Sequence, residues 1–267
     1  MSKLNRTAFI VEGFSEANLL NRMVRSLDDR LMAEVMLVLP AEMNLYMLWN
    51  DIKQDPNIDI IEYLREESES IRKVLGNLNS DDFSEVYLFF DLDAQQDNIK
   101  CKSKDKLIEI IMSMLKTFNN ETDKGKLYIS YPMCEAYSDY TQCTCKTFTS
   151  NCFQNPFDKN YKNRVGNNNP NAILTHLTIE KINDILNCYL DRITCLYDAV
   201  DLFDYVKVKN ISAFDIFCKQ SKLLKKELIM VLSAFPEFII DYYKFDVLKT
   251  TFPVVDKHYD KNCQSKI

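Results

Sequence analysis

The stretch Val86-Tyr87-Leu88-Phe89-Phe90-Asp91-Leu92-Asp93 is an apolar run that ends in carboxylates, and it predicts a buried strand with acids at its end. A second stretch of the same kind, Thr7-Ala8-Phe9-Ile10-Val11-Glu12-Gly13, lies near the start of the chain. A buried strand does not accommodate unpaired carboxylates, so these acids are expected where the strands end. If the later strand continues through Asp93, both aspartates face the same side. If it ends earlier, a turn can still direct both of them at one ion.

On both sides of these stretches, apolar runs that predict strands alternate with stretches that have helical periodicity. Strands are predicted at residues 7–12, 34–39, 85–90 and 126–130, and helices at about 15–27, 42–53, 60–75 and 105–118. The first of these helices is expected to be capped by Ser15. This alternation predicts an α/β fold with a parallel sheet that carries helices on both faces. In such sheets a ligand binds outside the carboxyl ends of the strands, where Glu12, Asp91 and Asp93 fall.

The character of the chain changes after residue 141, which predicts three regions. Residues 1–141 form the α/β domain, and residues 142–171, rich in Asn, Thr and Cys, are predicted to be a long loop or insertion. Residues 172–267 are predicted to be a helical C-terminal domain. Its helices are expected at 178–192, 195–206, 212–224 and 225–249, with an interruption at Pro236.

The composition is that of a globular protein, with 46% hydrophobic and 27% charged residues among 267. The net charge of −6 does not indicate a nucleic-acid binder, because such proteins usually carry a basic face. A local basic patch or a partner protein can still supply positive charge. The start of the chain resembles no signal peptide, and no apolar run is long enough to span a membrane. A cytoplasmic location is therefore expected, with the 9 cysteines as free thiols.

The acids at the strand ends have the chemistry of a magnesium site. Glu16 follows Glu12 by one helical turn, so the two can share a face. Carboxylates are hard oxygen ligands that suit Mg²⁺ or Mn²⁺. A cluster of like charges raises pKa values until a cation neutralises it. A bound magnesium ion suits phosphoryl transfer, whereas the alternative interpretation is that these acids are merely polar strand ends.

Two motifs resemble those of a known family. Val11-Glu12-Gly13-Phe14-Ser15-Glu16, followed by Asp91-Leu92-Asp93, resembles the Toprim domain of topoisomerases, DnaG-type primases and OLD (overcoming lysogenisation defect) nucleases, most closely the OLD-type version. The resemblance covers residues 7–140. It implies a Toprim-like fold in which Glu12 is a general acid/base or metal ligand and Asp91 and Asp93 bind magnesium. It also implies that Glu16 is an added ligand, while Ala94-Gln95-Gln96 departs from the glycine that many Toprim sequences carry there.

A further acid follows the strand predicted at 126–130. In Pro132-Met133-Cys134-Glu135, the proline suits the first turn of a helix, which would place Glu135 near the helix start at the same edge as the other acids. Glu135 is then either a third-strand metal ligand or a glutamate stabilised by the helix dipole. Both interpretations stay open from the sequence.

Other motifs carry less specific chemistry. Lys100, Lys102 and Lys104 follow the acidic motif at a spacing of two and are predicted to contact a nucleic-acid backbone, or else to be a solvated loop. Cys143-Thr144-Cys145 with Cys152 lacks the usual zinc spacing, so zinc is not expected. Of the histidines, neither His176 nor His258 has a partner that would indicate a nucleophilic triad.

Together these features predict a magnesium-dependent nuclease that cleaves phosphodiester bonds of DNA or RNA, with tRNA among the candidate substrates. The chain resembles stand-alone Toprim effectors of bacterial phage-defence systems, which implies a separate ATPase partner because no Walker motif is present. One alternative is a non-catalytic or conditionally active Toprim subunit of a complex. Another is a magnesium-dependent small-molecule phosphohydrolase with a phospho-aspartate at Asp91. Whether the protein is a homodimer stays open.

Overall fold

Strands and helices alternate along the first half of the chain in the computed structural model, which describes residues 6–31, 35–55, 57–95, 103–139, 152–168, 177–197, 210–243, 248 and 251. The strands are β1 (Arg6–Val11), β2 (Val35–Pro40), β3 (Glu85–Asp91), β4 (Asn119–Asn120), β5 (Gly125–Ser130), β6 (Phe153–Gln154) and β7 (Ile229–Met230). The helices are α1 (Phe14–Leu31), α2 (Leu45–Ile52), α3 (Ile60–Glu67), α4 (Glu69–Leu75), α5 (Lys104–Thr117), α6 (Tyr161–Asn168), α7 (Ile179–Leu196), α8 (Ala213–Leu224) and α9 (Ala234–Tyr242). Short 3₁₀ helices span Ser80–Asp82 and Cys134–Ser138.

The predicted α/β class is confirmed by a mostly parallel sheet of five strands. The strand order is β2-β1-β3-β5-β4, and only the short β4 runs antiparallel to its neighbour. Apart from partly buried end residues, successive residues of β1 and β3 are buried whichever face they point to, as at Phe9 and Ile10 of β1 or Leu88 and Phe89 of β3. Both faces of the sheet centre are therefore covered, as expected for parallel strands.

Several predicted boundaries are wrong for local reasons. The helix α1 begins at Phe14 and not after a Ser15 cap, because the Ala17 N–H already donates to the Gly13 carbonyl at 3.0 Å. The helix predicted at 60–75 is two helices, since the Ser68 side chain accepts from the Ile71 N–H and starts α4 anew. Pro236 lies in the first turn of α9, where a proline does not interrupt a helix.

The region predicted to be a loop contains regular structure in its described part, residues 152–168. The strand β6 pairs with β7, so residues 229–230 form a strand and not the start of the helix predicted at 225–249. The helix α6 buries Tyr161 and Val165 against Met133 and Ala136. Tyr161 and Val165 lie four positions apart and form an apolar face only one helical turn long. Because the surrounding residues are polar, this short face gives no clear helical pattern in the sequence.

The C-terminal helices pack on the sheet. Phe238 of α9 contacts the rings of Phe9, Tyr87, Phe89 and Tyr128 with centroid separations of 5.1 to 5.9 Å. Apolar side chains of α7, α8 and α9 belong to the same buried cluster as those of the sheet. The sheet and the helical region therefore share a core, while the predicted domain boundaries at 141 and 171 stay predictions.

The described cysteines, Cys134, Cys152, Cys188, Cys195 and Cys218, are free thiols as predicted. No helix in the described ranges combines the length and the apolar character needed to cross a bilayer. Lys100, Lys102, Cys143, Cys145, His176 and His258 lie outside the described residues.

Candidate functional site

Three neighbouring parallel strands end at one edge of the sheet, and each is followed by acids. In the register of the sheet, Val11 is opposite Phe89, and Asp91 is opposite Ser130. The ends of β3 and β5 are therefore level, and β1 ends opposite Phe89, two residues before the end of β3. As the sequence predicts, Glu12 follows β1, Asp91 ends β3 and Glu135 follows β5. We call these three acids, together with Glu16 and Asp93, the acidic edge.

Glu12 is half-buried at the end of β1 and touches the neighbouring strand. Its Oε2 accepts a hydrogen bond from the backbone N–H of Asp91 at 3.4 Å. The pKa of Glu12 is raised to about 8, chiefly by burial and in addition by the charges of Asp93 and Glu16, while that hydrogen bond and the charge of Lys162 act in the opposite direction. Near neutral pH this carboxyl group can therefore either hold or release a proton.

Asp91 is the last residue of β3. Burial raises its pKa well above the usual range, and the charges of Glu12, Glu16 and Glu135 act in the same direction. A hydrogen bond from the backbone N–H of Cys134 opposes that rise. The charges that act on Asp91 thus belong to acids that follow both neighbouring strands, β1 and β5, so Asp91 is the electrostatic centre of the acidic edge.

Asp93 lies beyond the end of β3 and just before a turn at residues 94–95, so the strand does not continue through the Asp-x-Asp motif. Its φ is +39°, in the left-handed region that aspartate tolerates better than most residues. The Asp93 N–H donates to the Pro132 carbonyl at 3.1 Å, and Gln95 Nε2 donates to Asp93 Oδ1 at 3.2 Å. Between the two aspartates lies the buried Leu92, whose carbonyl accepts a hydrogen bond from the Tyr46 hydroxyl.

Glu16 lies in the first turn of α1, directly over Gly13. A Cβ atom at Gly13 would stand 3.2 Å from Glu16 Oε2, so the absence of a side chain there allows the close approach. Glu16 raises the pKa values of both Glu12 and Asp91 through its charge. It therefore belongs to the acidic edge, as the sequence predicts.

Glu135 reaches the acidic edge from the 3₁₀ helix that follows β5, which starts at Cys134 and not at Pro132. Its Oε1 accepts an ion-paired hydrogen bond from Lys162 Nζ of α6 at 2.7 Å. This bond is the main reason why the pKa of Lys162 is raised. Sequence reasoning missed Lys162 as a partner of the acids, because Lys162 lies 27 residues after Glu135 in the chain and no motif links the two.

Arg192 of α7 supports the turn that carries Glu135, and sequence reasoning missed it as well. The side chain is 2% exposed, and its guanidinium donates to the carbonyl of Val231 at 3.0 Å and to that of Asp139 at 2.5 Å. Asp139 also accepts from the hydroxyl of Tyr161 at 3.1 Å. The buried arginine thus joins α7 to the end of the 3₁₀ helix and to the residue after β7, and Tyr161 joins α6 to the same aspartate.

The predicted nucleic-acid-binding lysines are only partly described. Lys104 is the first residue of α5, and its Nζ pairs with Glu227 Oε1 at 2.7 Å. Its ammonium group is thus already engaged with a carboxylate of this chain. A backbone contact by Lys100, Lys102 and Lys104 stays a prediction.

The donor chemistry of the acidic edge fits a hard divalent cation, although the side chains do not form a closed cage. Within the described ranges, no three His, Cys, Asp or Glu side chains converge closely enough to hold a metal ion. Mg²⁺ usually keeps several waters and takes only one or two carboxylates from the protein, so it does not need such a convergence. Asp91 with Asp93 or Glu12 could supply those ligands, and Glu16 and Glu135 could support a second ion.

Comparison with known proteins adds no further constraint. No protein-family model, no curated protein and no solved structure matches the chain.

Proposed function

We propose that this protein is a metal-dependent nuclease that cleaves phosphodiester bonds of DNA or RNA at the acidic edge. The observation that carries the proposal is the meeting of acids that end or follow three adjacent parallel strands, close enough that neighbouring charges raise the pKa values of Glu12 and Asp91. A cluster of like charges at the mouth of a sheet is costly without a cation. A divalent ion, Mg²⁺ or Mn²⁺, would convert that cost into binding free energy.

The proposed roles follow from the position of each acid. Asp91 and Asp93 hold the ion, which when bound supplies charge neutralisation for a phosphate and an acidified water. Glu12 exchanges a proton with the attacking water, a role that suits a carboxyl group whose pKa is about 8 in the metal-free protein. Glu16 and Glu135 support a second ion.

We also propose that the sheet is Toprim-like. A Toprim-like sheet with helices on both faces would place a glutamate after one strand and an Asp-x-Asp motif after its neighbour. The adjacency of β1 and β3, with Glu12 and Asp91 in hydrogen-bond contact, supports that likeness. By the same resemblance we propose a cytoplasmic effector of bacterial antiviral defence that works with a separate ATPase. Nucleic acid is then its substrate.

One observation favours a second candidate, a Toprim subunit that becomes active only within a complex. In the part of the chain that the structure describes, three ligating side chains do not converge on one point. A partner that shifted Glu135 or Asp93 by a small distance would complete the site. This candidate shares the fold and the acids with the first, and differs in requiring the partner for cleavage.

The test is cleavage of labelled DNA and tRNA in Mg²⁺ or Mn²⁺ by the parent, by Glu12→Gln and by a control, Glu69→Gln. The control removes an exposed carboxylate on α4 that pairs with Lys73. We expect cation-dependent cleavage that falls by about 100-fold or more in Glu12→Gln and is unchanged in the control. Equal cleavage by Glu12→Gln would refute the role of Glu12. Cleavage that appears only after a co-expressed ATPase is added would favour the conditional subunit.

A further inference from the structure

The helix α6 packs against the 3₁₀ helix that carries Glu135 and places Lys162 beside the acidic edge. Tyr161 and Val165 are buried against Met133 and Ala136, which flank the start of the 3₁₀ helix that carries Glu135. The hydroxyl of Tyr161 donates to Asp139 Oδ2 at 3.1 Å, at the other end of the same 3₁₀ helix. These contacts fix the position of α6 relative to Glu135.

Lys162 follows the anchored tyrosine and extends to the acids. Its Nζ lies 2.7 Å from Glu135 Oε1, while 64% of the side chain stays exposed to solvent. Its charge also acts on Glu12 and Glu16, which belong to the neighbouring strand end and helix. Lys162 is thus a positive charge of the protein's own, placed among carboxylates that come from different strands.

A cation already bound to a carboxylate oxygen must leave before another cation can take that oxygen. An ammonium group is a compact point charge on a flexible stem, so it can leave without moving the backbone. Because most of the side chain is exposed, Lys162 can turn into solvent while Tyr161 and Val165 remain packed. A divalent ion that takes this Glu135 oxygen must therefore displace Lys162, while α6 stays packed through Tyr161 and Val165.

We propose that Lys162 is a competing internal cation, which occupies Glu135 in the metal-free protein and is displaced when a divalent ion binds the acidic edge. This inference rests on the proposed metal site and adds a means of regulating it. A ligand or partner carboxylate that draws Lys162 away would raise the affinity for the metal. A partner that holds Lys162 in place would keep the affinity low.

The test is the affinity for Mn²⁺, measured by calorimetry for the parent, Lys162→Gln and the control Lys159→Gln. The control removes the same charge three residues earlier, in the same exposed region. We expect Lys162→Gln to bind Mn²⁺ about fivefold more tightly, the size of one partly exposed ion pair, and the control to match the parent. In a Glu135→Gln background, the gain from Lys162→Gln should shrink, because the pair is already broken.

Failure of this inference differs from failure of the proposed function. If the parent binds Mn²⁺ and Lys162→Gln binds no more tightly, the competition is refuted and the metal site stands. If binding by the variant weakens, Lys162 organises the site instead, which also refutes the competition. If neither protein binds Mn²⁺, the metal site and the competition both fail. Binding by the variant alone would support the competition most strongly.

Discussion

Replacing Glu12 by Gln should stabilise the metal-free protein, and the gain should grow with pH. The Gln carbonyl can still accept the hydrogen bond from the Asp91 N–H, so the change removes mainly the charge. The folded protein raises the pKa of Glu12 from 4.5 to about 8. Between these values the folded state holds a proton that the unfolded state has released, so stability is lost as the pH rises through this window.

The magnitude follows from the size of the shift. Each pKa unit corresponds to about 1.4 kcal/mol, so the full shift would cost roughly 4–5 kcal/mol above pH 8. Because Glu12 is partly open to water, a cost of about 2–4 kcal/mol is expected at pH 8.5. At pH 5 the folded state keeps its proton and the unfolded state has lost most of its own, but this pH lies only about half a unit above the unfolded pKa of 4.5, so the expected difference is below about 1 kcal/mol.

The assay is urea denaturation in EDTA at pH 5, 7 and 8.5 for the parent and for Glu12→Gln. The control, Glu69→Gln, should show no such trend, because that carboxylate is exposed. Added Mn²⁺ should stabilise the parent at pH 8.5 more than it stabilises Glu12→Gln, since it neutralises the charge that the variant lacks. A Glu12→Gln protein that is equally or less stable than the parent at every pH would refute the burial of Glu12 among like charges.

Other substitutions test the surroundings of the acids. Gly13→Ala should change the free energy of unfolding by no more than about 0.5 kcal/mol, because only the end of the flexible Glu16 side chain must move. The displaced Glu16 carboxylate should nevertheless weaken Mn²⁺ binding in calorimetry, and unchanged binding would contradict a role for Glu16. Tyr46→Phe removes the hydrogen bond to the Leu92 carbonyl and should cost about 1–2 kcal/mol in urea denaturation, whereas no loss would mean that this bond does not hold the turn. Arg192→Met should cost roughly 3 kcal/mol, since it leaves two carbonyls without their donor, and a neutral result would refute its role behind the 3₁₀ helix.

The central strands and the acids that follow them could be predicted from the sequence because their signals are local. An apolar run that ends in a carboxylate marks both a buried strand and its exposed end, as at Val11-Glu12 and Phe90-Asp91. Parallel neighbours then meet at one edge by the general rule for such sheets. For this reason the acidic edge follows from sequence, although no single motif spans it.

The remaining features depend on contacts between distant parts of the chain. Lys162 and Arg192 lie far along the chain from the acids, and nothing in their immediate sequence indicates which carboxylate or carbonyl each one meets. The pairing of β6 with β7 joins residues 153–154 to residues 229–230, in runs too short to show a strand period. Tertiary packing decides these features, and local propensity does not reveal them.

Binding of Mn²⁺ to the parent and to Asp91→Asn, compared by calorimetry at pH 7.5, tests the metal site most directly. Asp91 is at the centre of the acidic edge, and the substitution removes one charge and one ligand with little change in volume. A metal site at this edge predicts saturable binding by the parent that is lost in Asp91→Asn and kept in Glu69→Gln. Absence of binding by the parent, or equal binding by Asp91→Asn, would contradict it.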